Sequence, residues 1–583
     1  MDRKSIIILA VAVGLYFLMS PVVDHFFPPK PAPITLPAAT NSTMAATNAT
    51  TTAVSPAVSA LAAAPTAPST PEQIVTVSNA DLIWHFTSRG GGLKDVDLIH
   101  YPSVIRRGAN PASESKLAIL NQNATRPVLA LMGHDLEGDG DFALTRNGDT
   151  IRAERTLSNG LRVVKEFVIS TNYLFKASVR LENTSSLPLR VPDRDVIVGT
   201  ATAIGPLDDP TAMGTMWYNG LKSQNIQQKW FANPSFGCFP GTPRWEYEDG
   251  AGNVVWTAVH NQFFALAAIP TNPAPQLVID KILVPPPDLS GPTNSMSGLL
   301  TNGYQTALIY PGEVLPPHQS VETAFLFYAG PKEYKRLAEI AQNMGNNLDL
   351  IMDFTGVLGF FSKLLLWSMN GLNAAGLGYG LSIIAITIII KVVFWPLTNA
   401  STKSQKRMQA LQPQLKLITE KYKDDAVKRN EKTMEFYKVH KVSPLGSCLP
   451  TLLQLPVFYG FYLMMRGAIE LRGAHFLWAF DLSQTDTVAT IAGFPVNPLP
   501  LIMGATQLWM SHMMPPSPGM DPGQQKLMRW MPLMMIAFFY RMSAGLTLYW
   551  TVQNLLSILQ LKLTKTTPET VPAAPPVPVK KKK

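Results

Sequence analysis

The sequence predicts a multi-domain membrane protein in which an α-helical bundle of six transmembrane helices is joined to a large antiparallel β-sandwich. Three observations predict this fold class. Apolar residues make up 46% of the 583 residues, but they concentrate at the N-terminus and after residue 350. Segment 74–330 instead alternates apolar and polar residues with a period of two, as half-buried strands do. The formal net charge is +9, and every basic cluster falls on the same side of the six predicted spans.

The N-terminal region predicts an anchor and a spacer. Arg3 and Lys4 precede the apolar run 6–19, which is typical of either a signal peptide or an uncleaved anchor. Because no small-x-small cleavage site follows, we expect an anchor over 1–27 with a cytoplasmic N-terminus. Segment 28–73 is rich in Pro, Ala, Thr and Ser and has almost no charge, which predicts a disordered linker.

The next region predicts the β domain. Alternating segments separated by Gly, Pro, Asn and Asp indicate strands; they are 82–87, 161–169, 173–182, 254–259 and 321–328. We expect them to form an antiparallel sandwich over 74–335. It follows an anchor that runs from inside to outside, so it belongs on the outer side of the membrane. Segment 336–376 predicts a linker and an amphipathic helix lying in the outer membrane interface.

The second predicted span, 377–397, contains a buried charge. Its 21 residues are enough for a helix that crosses the bilayer, which needs roughly 20. Lys391 and Thr387 lie inside it, and a lysine at that depth costs at least about 2.5 kcal/mol on insertion scales. Lys391 therefore either snorkels to the membrane surface or faces a wet cavity inside the bundle. We favour the cavity.

Four more spans complete the predicted bundle; they are 445–465, 498–514, 528–541 and 544–562. The last two form a tight hairpin whose short arms are either re-entrant or placed in a locally thinned bilayer, and we favour thinning. Segment 398–443 carries eleven basic and five acidic side chains, so the positive-inside rule makes it cytoplasmic. Its apolar spacing predicts a helical hairpin rather than a solvated loop. The basic tail 566–583 falls on the same side.

The sequence contains no motif of a familiar enzyme class. H-E-x-x-H, G-K-[ST] and G-x-S-x-G are all absent, and Cys238 and Cys448 are too few and too far apart to suggest a zinc site. We therefore predict no enzymatic activity, no cofactor and no metal. The polar residues of the predicted spans either bond between helices or line a hydrated groove; they are Thr387, Lys391, Gln454, Gln507, Gln553 and Asn554.

Four motifs resemble those of a known family; they are KVVFWPLT (391–398), RMQALQP (407–413), KVSPLGSCLPTLLQLPVF (441–458) and AGLTLYWTVQNLLSILQ (544–560). In their order and spacing the chain resembles the Oxa/Alb/YidC family of membrane protein insertases. The outer β domain, with GPKEYKRL at 330–337, resembles the Gram-negative bacterial form. The resemblance implies a five-helix insertase core over 377–565 and a periplasmic β-supersandwich like that of sugar-mutarotase-like proteins. It also implies a location in the bacterial inner membrane with both termini in the cytoplasm.

The resemblance further implies a mechanism. A groove open to the cytoplasm and to lipid would receive a hydrophilic segment of an incoming protein, and Lys391 stands where the family has an arginine. The implied groove residues are Lys391, Thr387, Gln454 and Gln507. The implied apolar slide, along which the substrate helix enters lipid, comprises Cys448, Pro450, Leu455, Pro456, Phe458, Phe538 and Trp550, the last standing where the family commonly has tyrosine. The implied partners are nascent inner-membrane proteins, the Sec translocon, the lipid bilayer, and the ribosome and targeting factors, which would meet the cytoplasmic hairpin and basic tail.

Two other functions remain open at this point. A transporter could use Lys391 to bind an anionic solute, although transporters usually show internal repeats and none is detected here. A membrane-anchored carbohydrate enzyme could use the β domain, but no convincing catalytic pair is evident in its sequence. We expect an insertase that acts alone or with the Sec translocon.

Overall fold

The computed structural model describes residues 71–105, 116–133, 136, 140–205, 208–234, 241–250, 252–287, 300–423, 425–440, 444–513 and 522–564. These residues form two compact units, a β unit that ends at Ile351 and a helical unit that begins at Met352. The expected anchor over 1–27, most of the expected linker and the basic tail lie outside the described residues.

The β unit consists mainly of antiparallel strands. In chain order they are β1 Ile74–Ser78, β2 Leu82–Thr87, β3 Gly92–Pro102, β4 Leu117–Leu120, β5 Leu131–Met132, β6 Ala143–Asn147, β7 Thr150–Thr156, β8 Leu161–Ile169, β9 Leu174–Asn183, β10 Leu189–Val191, β11 Arg194–Ala201, β12 Gly214–Tyr218, β13 Ser223–Gln227, β14 Glu246–Asp249, β15 Trp256–His260, β16 Phe264–Pro270, β17 Gln276–Val284, β18 Thr301–Tyr310, β19 Glu313–Leu315 and β20 Ser320–Pro331. Two short helices accompany them, α1 Gln228–Ala232 and α2 Tyr334–Met344. The predicted domain rich in antiparallel sheet is thus confirmed.

Two large sheets pack face to face. The nine-stranded sheet has the order β13-β12-β15-β16-β20-β9-β8-β7-β6, and the five-stranded sheet has the order β14-β17-β18-β11-β5. Between them Thr215 of β12 and Thr306 of β18 share a buried hydrogen bond of 2.6 Å. Trp217 and Tyr304 are fully buried in this core, while Trp256 is buried on the other face of the nine-stranded sheet, where its Nε1 donates to the carbonyl of Asn346. A four-stranded sheet, β1-β2-β3-β4, completes the main architecture of the unit.

One lysine is buried inside the β unit. Lys165 lies on β8, where its Nζ donates a hydrogen bond of 2.5 Å to the carbonyl of Gly90 and sits 4.6 Å from the centroid of the Phe142 ring. Burial, with a smaller contribution from the charge of Arg155, lowers the pKa of Lys165 to about 7. Lys165 therefore exchanges between its charged and its neutral form near physiological pH.

The helical unit contains nine α-helices within its described residues. They are α3 Gly356–Ala374, α4 Gly378–Val393, α5 Trp395–Ala410, α6 Gln412–Lys421, α7 Ala426–Val439, α8 Pro444–Gly467, α9 Pro498–Met513, α10 Pro522–Phe539 and α11 Ala544–Leu563. A short hairpin of β21 Ala489–Ile491 and β22 Phe494–Val496 precedes α9. In the predicted cytoplasmic hairpin, α6 and α7 pack through Leu411, Leu415 and Tyr437.

The helix expected over 377–397 is divided in two. The chain bends by 66° between α4 and α5, at Phe394. The physical reason is Pro396, which lacks the N–H that would bond the carbonyl of residue 392 and whose ring crowds that carbonyl. Within the described residues, the length and hydropathy of a membrane span are reached only by the bent pair α4–α5 taken together, while Trp530–Phe539 is apolar but shorter.

Candidate functional site

Lys391 is the buried cation among the described residues of the helical unit. It lies in the last turn of α4, and only 7% of the residue is exposed. Its Nζ donates a hydrogen bond of 2.9 Å to Oγ of Ser557 on α11. Ser557 Oγ in turn donates a 2.8 Å bond to the carbonyl of Gln553, one turn earlier in α11. The ammonium of Lys391 therefore donates to a hydroxyl that already donates its own proton to a backbone carbonyl.

Helix α11 joins its neighbours through polar side chains. Gln553 Nε2 donates to Gln454 Oε1 on α8 at 3.1 Å. The next residue, Asn554, donates to a hydroxyl on α9 at 3.2 Å, and Gln560 donates to a hydroxyl on α5 at 2.8 Å. The acceptors of these last two bonds are Thr506 and Thr398. Each bond satisfies an amide group whose burial without a partner would be costly in an apolar bundle. Helix α11 is therefore joined to three other helices by polar side chains.

A small cavity lies beside Lys391. Its lining combines polar and apolar side chains from four helices and the residue between α4 and α5; they are Ile390, Lys391, Phe394, Thr398, Gln454, Val457, Tyr549 and Gln553. The centre of a water molecule can occupy about 30 Å³ of this space. That volume holds one or two waters, which would meet the ammonium and the glutamine amides.

The four groove residues expected from the sequence divide into two pairs. Lys391 and Gln454 line the same cavity. Thr387 does not line it; its hydroxyl donates to the carbonyl of Ile383 in its own helix at 2.6 Å. Gln507 is 5% exposed on α9, and its Oε1 has no hydrogen-bond partner among the described residues. The cavity is therefore built from α4, α5, α8 and α11, without the polar residues of α9.

Sequence reasoning missed three residues at this site. Ser557, Tyr549 and Thr398 either contact Lys391 or line its cavity. Ser557 and Tyr549 lie four residues on either side of Gln553, so the helical period places all three on one face of α11. Because Gln553 was recognised as a polar residue within a span, this four-residue spacing could have indicated that Tyr549 and Ser557 lie beside it.

The expected apolar slide includes an aromatic cluster. Phe458 of α8 lies edge-on to Trp550 of α11, with ring centroids 5.0 Å apart. Phe539, which is not among the expected slide residues, lies 5.3 Å from the Trp550 ring and is fully buried. Trp550 Nε1 is buried without a hydrogen-bond partner among the described residues.

Other expected slide residues are at the surface of the unit. Leu455 is 53% exposed and Phe538 is 52% exposed, while Pro456 is half-buried. Cys448 and Pro450 fall within α8, but their side chains lie outside the described residues. The described part of the slide thus combines an aromatic cluster with large apolar side chains that are about half exposed.

Comparisons with known proteins identify the family. Residues 74–368 match the YidC periplasmic domain, and residues 371–570 match the 60 kDa inner membrane protein family. A membrane protein insertase YidC from Nitratidesulfovibrio vulgaris is 31% identical, over 91% of this chain and 93% of its own length. The chain belongs to the YidC family. The family accounts for both the periplasmic domain rich in antiparallel sheet and the helical C-terminal region.

Two further members of the YidC family resemble the chain over most of its length. The membrane protein insertase YidC of Syntrophus aciditrophicus is 28% identical, over 96% of this chain and 98% of its own length. The crystal structure of an active YidC insertase with its first transmembrane domain resolved is 18% identical, covering 85% of this chain and 92% of that one, with a TM-score of 0.33. The two sequence relatives, both membrane protein insertases, give the transporter alternative no support.

Proposed function

We propose that this chain is a membrane protein insertase and chaperone of the bacterial inner membrane, and that Lys391 is the charge that receives its substrates. Family membership supports the activity. The observation that carries the site assignment is the ammonium of Lys391, bonded to Ser557 beside a water-sized cavity. A buried cation without a carboxylate partner among the described residues attracts an acidic segment of an incoming chain.

The substrate's apolar helix would leave by a different surface. We propose that its hydrophilic tail first enters near Lys391 while its helix lies against Phe458 and Trp550, which Phe539 supports from the interior. The exposed side chains of Leu455 and Phe538 continue this surface to the outside of the unit. Transfer into lipid is then driven by burial of apolar surface, at about 25 cal/mol per Å². No nucleotide, cofactor or metal takes part, and the activity is not enzymatic.

The proposed topology has six transmembrane helices, five of them in the insertase core. Helix α11, with 20 residues, rises about 30 Å, which equals the thickness of a bilayer core. The 16-residue helices α4 and α9 rise only about 24 Å. We therefore propose that the bilayer thins around the core. In this topology the β unit is periplasmic, and both termini and the α6–α7 hairpin are cytoplasmic.

Partners are proposed from charge and position. Segment 398–443 has eleven basic and five acidic side chains, and the tail 566–583 ends in four lysines. These regions would meet the ribosome and targeting factors, since ribosomal RNA attracts basic segments without reading their sequence. The β unit would act as a scaffold or a docking domain, for example for the Sec translocon.

Complementation of a depleted strain tests the central assignment. Wild type, Lys391→Arg and Lys391→Ala would be compared for protease protection of a small membrane protein that carries a short acidic periplasmic tail. We expect Lys391→Arg to insert this substrate and Lys391→Ala to fail at normal protein levels, because only the first keeps the charge. Lys526→Ala, which removes an exposed lysine from α10, is the matched control. Normal insertion by Lys391→Ala would refute the role of the charge.

A further inference from the structure

Three side chains of metal-ligating type converge on one face of the four-stranded sheet. His85 lies on β2, and Asp95 and Asp97 lie on β3. His85 Nε2 is 3.4 Å from Oδ2 of Asp97 and 4.0 Å from Oδ1 of Asp95. One ligand atom from each of the three residues lies within 4.8 Å of the other two. This cluster is in the β unit and forms no part of the site around Lys391.

The strand pairing explains why these residues meet. His85 is directly opposite Asp95 in the antiparallel β2–β3 ladder, and Asp97 is two residues further on. Residues two apart on a strand share a face, and facing residues of paired strands are close neighbours. Both carboxylates therefore lie beside the same imidazole.

The imidazole is oriented from its other side. Thr76 of β1 is paired with His85, and its Oγ1 lies 3.2 Å from Nδ1. When Nδ1–H donates to this hydroxyl, the lone pair of Nε2 is directed to the two carboxylates. A hydrogen bond to the non-ligating nitrogen is the usual means by which proteins orient a metal-binding histidine.

The distances are long for hydrogen bonds and close to those of a coordination shell. Charge-assisted hydrogen bonds of this type are about 2.7–2.9 Å long, which is shorter than either contact of His85. In a tetrahedral zinc site with bonds of about 2.0–2.1 Å, neighbouring ligand atoms are about 3.3 Å apart. The 3.4 Å separation between His85 and Asp97 already has this value, while Asp95, 4.0 Å from His85, has to move closer to complete the shell.

The surroundings leave a place for a fourth ligand. The side chains of His85, Asp95 and Asp97 are 26%, 24% and 20% exposed, so one side of the cluster remains open to water. Lys94, which has no partner residue on β2 because the strand register shifts there, instead forms an ion pair with Glu72 at 3.0 Å. We propose that His85, Asp95 and Asp97 bind one divalent transition-metal ion, with zinc as the best match and water as the fourth ligand. The ion would join β2 to β3.

Calorimetric titration of the full chain tests this site. The protein would be purified in detergent without a histidine tag, stripped with a chelator and titrated with zinc chloride. We expect one zinc ion per chain for wild type, with an affinity at least tenfold weaker in His85→Ala and in the nearly isosteric Asp97→Asn. His100→Ala is the matched control, because His100 of β3 faces a single carboxylate, Asp81, at 3.4 Å.

A thermal scan with and without zinc gives an independent readout. Binding to the folded state alone raises the melting temperature, so zinc should stabilise wild type and His100→Ala but not His85→Ala. Circular dichroism would show that each variant is folded, and Asp97→Asn decides the question if His85→Ala is not. Two results would each overturn the proposal: no stoichiometric zinc binding by wild type at 100-fold molar excess of metal, or equal affinity in all four proteins.

Discussion

The hydrogen bond between Lys391 and Ser557 can be measured by a double-mutant cycle. Ser557→Ala removes the side-chain acceptor that holds the buried ammonium, while Lys391→Met removes the charge and keeps most of the side-chain volume. In the Lys391→Met protein, Ser557 still donates to the carbonyl of Gln553, so no polar group is left unpaired. The two single variants are therefore expected to differ strongly in the stability of α11.

The magnitude follows from the charge and the cavity. A hydrogen bond to a charged group contributes about 1.5–3 kcal/mol. Because the cavity beside Lys391 has room for a water that can replace the serine hydroxyl, we expect the lower part of this range, about 1.5–2 kcal/mol. In the Lys391→Met background, Ser557→Ala removes only a bond within α11 and should cost less than about 0.5 kcal/mol. The expected coupling free energy is therefore about 1–1.5 kcal/mol.

Hydrogen exchange measured by mass spectrometry in detergent micelles is the suitable assay, since it reports local opening of α11 rather than unfolding of the whole protein. Ser557→Ala should raise the opening constant of α11 peptides by roughly 10- to 30-fold, the equivalent of the expected 1.5–2 kcal/mol. Ser368→Ala is the control, because within the described part of the chain the Ser368 hydroxyl bonds only the carbonyl of Leu364 in its own helix, α3. Equal effects of Ser557→Ala in both backgrounds would refute the bond and indicate that Lys391 is solvated elsewhere.

Three further predictions concern other parts of the molecule. Lys165 has a folded-state pKa of about 7, below its usual value of about 10.4, so the unfolded chain binds more protons between these values. The free energy of unfolding of the β unit should therefore rise by up to about 4 kcal/mol from pH 7 to pH 10, and Lys165→Met should abolish this rise in chemical denaturation. Phe458→Ala removes the ring packed against Trp550 and should reduce photocrosslinking of a substrate helix to position 550. Gly380→Ala places a Cβ 2.3 Å from the Phe476 ring and should lower stability by about 1–3 kcal/mol in thermal unfolding.

Each of these predictions has a result that contradicts it. A pH dependence that persists in Lys165→Met would assign it to other groups of the β unit. Undiminished crosslinking in Phe458→Ala would exclude the aromatic cluster from the substrate path. For the third, Gly371→Ala is the control because a Cβ there has open space, and an equal loss in both glycine variants would indicate helix-wide effects rather than the contact with Phe476.

The sequence predicted the embedded charge and part of its surroundings. Lys391 was evident because a lysine inside an apolar run is costly, and Gln454 was recognised because it interrupts another such run. Ser557 was not recognised, since a helical serine most often bonds its own backbone and carries no charge. Ser557 is 166 residues away from Lys391 in the sequence, and only the packing of α4 against α11 places the two side chains in contact. Pro396 is evident in the sequence, but the apolar residues around it predicted one continuous span, so the break that it causes was not predicted.

In the β unit, too, the sequence predicted some features and not others. Alternation along 161–169 predicted a strand with two faces, and β8 has these bounds. The order of strands was not predictable, because β9 pairs with β20 across about 150 residues, as in the pairing of Leu174 with Tyr328. Period-two patterns determine which side chains face the core, but they carry no information about the partner strand.

The polar connections of α11 bear on how this helix can be exchanged between relatives. Gln553, Asn554 and Gln560 each bond a side chain on a different helix. A chimera that received α11 from a relative lacking these three amides would lose three hydrogen bonds between helices at once. At about 0.5–1.5 kcal/mol for each hydrogen bond, the combined loss is a substantial part of the stability of many domains, which is about 5–15 kcal/mol. Functional chimeras should therefore carry α11 together with its partner residues, as one inherited module.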